Sequence, residues 1–296
     1  MNVLITGGCG YLGTRTAIEM ANVGHEVTIL DVKPKPAGWE LYGPSNITFV
    51  QGNILEPKEL HEASEGNEVF IHMAFVVGGP SCIEDPDYAS NLALTGTDNL
   101  ISVAGEKRII FPSTDAVYGN KASGLIREDF PCEPAEIYGQ LKLKVEQKIM
   151  GCACFDILRL PTNFGVSPVM RHNLLVHYIV RELFQKKHVN IHQPEITRSI
   201  LEVGDGANAI TFLLGQEPTN LVMNVLTESP TKLQIAEEAA RILGGTVEIE
   251  NISSGDPDKR NFVLNTSRIN AHGWKPTHSL TSGIESLKKY LEVMSF

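Results

Sequence analysis

Thr6-Gly7-Gly8-Cys9-Gly10-Tyr11-Leu12-Gly13 follows the apolar run Val3-Leu4-Ile5 and opens a stretch with helical patterning. Glycines at 7, 10 and 13 suit a strand that turns into a helix over a pyrophosphate. Gly7 permits the tight turn, Gly10 lets the backbone approach the phosphates, and Gly13 lets the helix pack close to the sheet. The free N–H groups and the positive dipole end of that helix favour an anion. Asp31 closes the second apolar run, Glu26-Val27-Thr28-Ile29-Leu30, at the distance expected of an acid that bonds the adenosine ribose. Together these features predict a dinucleotide-binding βαβ unit.

Apolar runs alternate with helical patterns through the first half, which predicts a parallel sheet covered on both faces. Strands are expected near 2–6, 26–31, 47–51, 68–73, 107–112 and 155–160, with helices near 12–23, 57–64, 88–105 and 135–150. The fold class is α/β, a doubly wound parallel (Rossmann) sheet with its ligand crevice at the carboxyl ends of the strands. After residue 165 the pattern loosens into segments punctuated by proline and glycine. A helix near 205–215, a strand near 221–226 and helices near 231–243 and 282–294 are expected there. The reading gives a dinucleotide-binding domain of 1–165 and about 196–227, with a smaller, discontinuous substrate lobe of about 166–195 and 228–296.

Bulk composition narrows the partners. A formal charge of −10 argues against nucleic acid or an anionic membrane surface. The first strand begins at residue 2, and no apolar run approaches the roughly 20 residues that span a bilayer, so the expected location is the cytoplasm. Five cysteines without CxxC spacing give no expectation of a metal site or a disulfide framework.

Tyr138-Gly139-Gln140-Leu141-Lys142 places a phenol and an ammonium at i and i+4 on one helix face. The preceding strand ends in Ser113-Thr114-Asp115, which carries hydroxyls into the same crevice. A lysine beside a tyrosine favours the phenolate, so the pair reads as an acid–base device. The glycine loop, Asp31, Ser113-Thr114, Tyr138 with Lys142, and Leu158-Arg159-Leu160-Pro161-Thr162-Asn163-Phe164-Gly165 together resemble the extended short-chain dehydrogenase/reductases, specifically the NAD-dependent sugar-nucleotide epimerase/dehydratase family.

That resemblance implies NAD as cofactor, a sugar-nucleotide substrate and a homodimer through the helices near 88–105 and 135–150. Leu92, Leu94, Leu100, Ile101, Leu141, Val145 and Ile149 are the apolar residues expected to supply that interface. It implies that Tyr138 deprotonates a sugar hydroxyl, that Lys142 holds the nicotinamide ribose, and that Thr114 bonds the reacting oxygen. Ser113 is the alternative hydroxyl. Gly7, Gly10, Tyr11, Leu12, Gly13, Asp31, Asn53, Ile54, Met73, Ala74 and Asn91 would join Tyr138 and Lys142 around NAD, with Asn53 standing where family members often have an aspartate. Asp115, Asn163, Arg171, Arg198 and Arg260 would meet the substrate.

Dehydratases of the family carry an Asp-Glu pair after the catalytic threonine, whereas this chain has Asp115-Ala116. A methyl group cannot move a proton, which disfavours 4,6-dehydration, and the resemblance then implies epimerisation through hydride transfer at C4 of the sugar. A 4-dehydrogenase that releases a 4-keto sugar, a 4,6-dehydratase, and an NAD-binding protein without turnover are the alternatives.

Overall fold

The computed structural model describes residues 1–250 and 260–294. Its first half runs β1 (Asn2–Thr6), α1 (Tyr11–Asn22), β2 (Glu26–Asp31), α2 (Trp39–Tyr42), β3 (Ile47–Gln51), α3 (Pro57–Ser64), β4 (Val69–His72), α4 (Gly79–Glu84), α5 (Pro86–Ala104) and β5 (Arg108–Thr114). A single 3-10 turn, Asp115–Tyr118, leads to β6 (Ser123–Ile126), α6 (Ile137–Ile149) and β7 (Phe155–Leu160). Beyond these lie β8 (Thr162–Phe164), α7 (Leu175–Lys186), β9 (His188–Ile191), β10 (Ile200–Glu202), α8 (Val203–Leu214) and β11 (Val222–Asn224). The last elements are α9 (Lys232–Leu243), β12 (Thr246–Ile249), β13 (Asn261–Leu264), α10 (Ser267–Ala271) and α11 (Leu280–Met294).

Seven strands make one parallel sheet in the order β11-β7-β5-β4-β1-β2-β3. Val3 of β1 lies opposite Val27 on one side and Val69 on the other. The chain winds outward from β1 in one direction and then from β4 in the other. Their carboxyl ends therefore flank the gap where loops diverge and a ligand can enter. Ile109, Ile110 and Phe111 of β5 are wholly buried, as expected of a strand covered on both faces.

Two apolar layers sandwich the sheet. One joins Met20 of α1 to Ile210 and Leu213 of α8; the other joins Leu60 of α3, Leu100 of α5 and Val145 and Ile149 of α6. Local signals set the helix ends. Asp85 accepts the Tyr88 N–H ahead of Pro86 at the start of α5, and Thr231 and Gln234 form a reciprocal capping box on α9.

The structure adds elements that the pattern reading left irregular. α7 occupies part of 166–195 and buries Val176, Ile179, Val180 and Leu183 against α9 and α11. Three two-stranded parallel pairs, β8 with β10, β9 with β12, and β6 with β13, stand beside the main sheet. The last of these pins Asn261–Leu264 to Ser123–Ile126 in the first half of the chain.

The apolar residues expected to form an interface on α5 and α6 point mostly inward. Leu92, Leu100, Leu141, Val145 and Ile149 are buried within the protomer, leaving Leu94 and Ile101 partly buried.

A buried polar clamp ties β5, α6, β7 and β11. Glu146 of α6 accepts from the Ser113 hydroxyl and pairs with Arg159 of β7 at 2.7 Å. The Arg159 guanidinium lies 4.8 Å over the Tyr118 ring, whose hydroxyl donates to Asn224 at 2.7 Å. Arg159→Met should leave the Glu146 charge buried and unpaired, lowering stability by about 3–5 kcal/mol. Adding Glu146→Leu should recover most of that loss; urea unfolding of both variants measures it.

Candidate active site

Gly7 has φ +71°, and a Cβ there would lie 2.5 Å from the Ala74 nitrogen. The turn after β1 thus packs on the turn after β4 with no space for a side chain. At Gly13 a Cβ would lie 2.7 Å from the Gly8 Cα, which explains the third glycine. Above Gly10 a Cβ would meet only the Gly7 oxygen, at 3.5 Å. Gly10 caps α1 without a side-chain hydrogen bond, and the first turn of that helix carries no acid. Its N-terminal amides stay available, which fits a pyrophosphate.

The second turn is held by a buried chain of bonds that the sequence did not single out. Ala74 N–H donates to Thr6 Oγ1 at 3.4 Å, and Thr6 Oγ1 lies 3.0 Å from His72 Nδ1. His72 Nε2 meets Thr97 Oγ1 at 3.0 Å, and Thr97 donates onward to the Ala93 carbonyl. Thr97 has given its proton to Ala93, so Nε2 is the donor, and burial keeps the ring neutral, which leaves Nδ1 to accept the Thr6 hydroxyl. Burial pushes its pKa down to about 3.

On the adenosine side, the Asp31 carboxylate accepts Cys9 N–H and Lys33 N–H, both at 2.9 Å. The acid is thereby aimed along the glycine loop. Beside it opens a cavity of about 590 Å³ lined by Cys9, Lys33, Lys35, Trp39, Phe49 and Gln51. Asn53 Oδ1 accepts the Leu55 N–H at 3.0 Å, leaving its Nδ2 donors without a partner among the described residues. Ile54 is buried under α5, Met73 and Ala74 form the turn against Gly7, and Asn91 is exposed on α5.

Gly139 packs on the Ala116 carbonyl, which brings the 3-10 turn against the start of α6 and sets Thr114 near Tyr138. Thr114 Oγ1 accepts Ala116 N–H at 3.2 Å, so its own proton is free to meet a ligand oxygen. The Tyr138 hydroxyl makes no hydrogen bond among the described residues. Ser113, by contrast, has given its hydroxyl to Glu146.

Lys142 lies buried beneath, donating to the Pro112 carbonyl at 2.8 Å. Burial pushes its pKa down to about 7, with Glu146 and Cys82 opposing the shift. The Tyr138 phenol is raised by burial, and the cations that pull it back are Arg171 and Arg260. Lys142, expected to do this, stands 6.0 Å from the ring centroid.

On the substrate side, Arg260 forms an ion pair with Asp115, and Arg198 donates to the Arg260 carbonyl at 2.6 Å. The three residues expected to meet the substrate from distant segments are thus neighbours. Asn163 sits beside Leu12 under α8, with its Oδ1 buried and unpartnered.

Tyr11 is buried, and its hydroxyl donates to the Gly165 carbonyl at 2.8 Å. His177 Nε2 accepts Gly165 N–H at 3.0 Å while Nδ1 donates to the Arg171 carbonyl. The Tyr11 side chain thus ties α1 to the loop bearing Arg171, while its backbone N–H lies in the open first turn of α1. His177 itself lay in a stretch with no motif to mark it.

A family model described as NAD dependent epimerase/dehydratase family matches residues 3–225. The chain belongs to that family. Among its relatives, the UDP-glucose 4-epimerase of Bacillus subtilis (strain 168) is 33% identical over 186 residues, covering 57% of this chain and 54% of the relative. The chain spans about half the length of the curated relatives it matches. The solved UDP-glucose 4-epimerase of Thermus thermophilus in complex with NAD superposes with a TM-score of 0.84 at 22% identity, covering 99% of both chains. A dTDP-glucose 4,6-dehydratase from Bacillus anthracis gives 0.85 at 21% identity, covering 100% of this chain and 98% of that one. At such identities both likenesses establish the fold. The fold serves more than one reaction, and the site residues must separate them.

The buried lysine predicts a stability signature for this family member. Its folded pKa lies below the ordinary 10.5, so the unfolded chain binds the extra proton between about pH 7 and 10.5, and stability gains as pH rises through that window. Lys142→Met should therefore raise the melting temperature of the cofactor-free protein at pH 6. The gain should shrink steadily above pH 7, as followed by calorimetry.

Proposed function

We propose that this chain is an NAD-dependent sugar-nucleotide epimerase that works at C4 of the sugar. The observation that carries the choice of reaction is Asp115. Its carboxylate is paired with Arg260 and is followed by Ala116. A dehydratase needs a proton donor and a proton acceptor at these positions; here the acid is held as a carboxylate and its neighbour is a methyl group. The acid–base pair of a dehydratase is therefore incomplete at these two positions.

NAD fits the cradle on three counts. The glycine turn excludes side chains, the Asp31 carboxylate suits a ribose diol and repels a 2′-phosphate, and the Lys142 ammonium has a single acceptor among the described residues. Glycine-loop amides would hold the pyrophosphate and Lys142 Nζ the nicotinamide ribose. The chemistry supplied by bound NAD is hydride exchange with the sugar carbon.

Tyr138 Oη takes the proton of the C4 hydroxyl while Thr114 Oγ1 donates to the same oxygen. Arg171 and Arg260 favour the phenolate that this step needs. Tyr138 Oη then returns its proton to the oxygen when the hydride comes back on the opposite face of the sugar. Arg198 and Arg260 suit the diphosphate, since a planar guanidinium bonds phosphate oxygens in pairs. We place the sugar-nucleotide turnover in the cytoplasm, in a homodimer whose contact would use the exposed faces of α5 and α6.

Tyr138→Phe should leave NAD binding intact and lower turnover by about 10²–10⁴. Wild-type turnover in that variant would move the base elsewhere. With substrate deuterated at C4, the label should reappear at C4 of the inverted sugar, and no solvent deuterium should enter C5. A 6-deoxy-4-keto product labelled at C5 would mark a dehydratase instead. Mass spectrometry of the products reads both outcomes.

A further inference from the structure

Lys142 has three N–H donors and, among the described residues, one hydrogen-bond acceptor, the Pro112 carbonyl. The residue is only 4% exposed. The other donors face rings: the ammonium lies 4.2 Å from the Phe75 centroid and 4.4 Å from that of Phe111. Phe111 is wholly buried in β5 and stacks on His72 at 5.6 Å, so it is fixed. Phe75 lies on the loop after β4 and is only partly buried. Three residues further on, Gly78 stands clear, with nothing within 4 Å of a Cβ built there. The Phe75 ring also meets Tyr138 edge-on at 5.9 Å.

A buried ammonium with two donors against π faces is suited to a diol, and one of the rings over it belongs to a partly buried side chain on a loop. We infer that Phe75 is a positioning residue, an aromatic cover that stands over Lys142 until the ribose of the cofactor displaces it. The inference rests on the reading above that Lys142 holds the nicotinamide ribose.

Its consequence is selective. The cover lowers the fraction of protein ready for the nicotinamide half of NAD, and apparent affinity falls by that fraction. The adenosine half binds at Asp31, away from Phe75, and is untouched. ADP is thus the internal reference, and the ratio of NAD to ADP affinity isolates the cover from any general loss of fold.

Calorimetric titration of the full chain with NAD and with ADP tests this. Phe75→Ala should raise the NAD to ADP affinity ratio roughly three- to thirty-fold, the range set by a cation–π contact between its exposed and desolvated limits. Phe75→Tyr, which restores the ring, should return the ratio to that of the unmodified protein. An unchanged or lower ratio in Phe75→Ala, or a raised ratio in Phe75→Tyr, would overturn the inference. Lys142→Met separates the two readings: it should lower the ratio, and a ratio left unchanged there would remove Lys142 from the ribose whatever Phe75 does.

Discussion

The contact between the turn after β1 and the turn after β4 is the constraint on which the rest of the molecule depends. Gly7 lies so close to Met73 and Ala74 that no side chain fits, and its backbone is left-handed. The two turns diverge from adjacent parallel strands at the point where the sheet changes its winding direction. Their separation sets the width of the crevice. The Thr6, His72 and Thr97 chain holds it from below, with a neutral imidazole whose two nitrogens each have a defined role.

Above this base the site combines groups that are costly to bury. Lys142 is tolerated because Pro112 supplies one acceptor, two rings supply polarisable faces, and Glu146 lies one helical turn away. Glu146 is in turn neutralised by Arg159. The positive side chains that oppose the burial of the Tyr138 phenol come from the loop before α7 and from the residue that precedes β13.

The glycine loop, the first strands and the Tyr-Lys helix were legible because each is a local pattern: apolar runs, turn residues and an i, i+4 pair. α5, α6, α9 and α11 came close to their predicted spans because their caps and periodicities are also local. α7 was legible in principle, since Val176, Ile179, Val180 and Leu183 repeat at helical spacing, but the prolines around it masked the pattern. The short parallel pairs could not be read, because each strand has only three or four residues and its partner lies far along the chain. The Asp115 and Arg260 pair escaped for the same reason, although both residues were singled out separately. The long-range bond of the Tyr11 hydroxyl to Gly165 has no local signal, and Leu92, Leu100, Leu141, Val145 and Ile149 are buried within the protomer.

The β6 and β13 pair has a consequence for the order in which the molecule is made. Asp115 and Arg260 are 145 positions apart, and Arg260 directly precedes the strand that docks on β6. A ribosome releases the sheet, the glycine loop and the Tyr-Lys helix long before it releases β13. The nascent chain can therefore assemble its dinucleotide cradle while the substrate pocket still lacks a wall, a long-range closure that comes late in folding. Until then Asp115 is a carboxylate without its counterion beside Tyr138. Roughly the last eighth of the chain, from Arg260 onward, closes the wall beside Asp115.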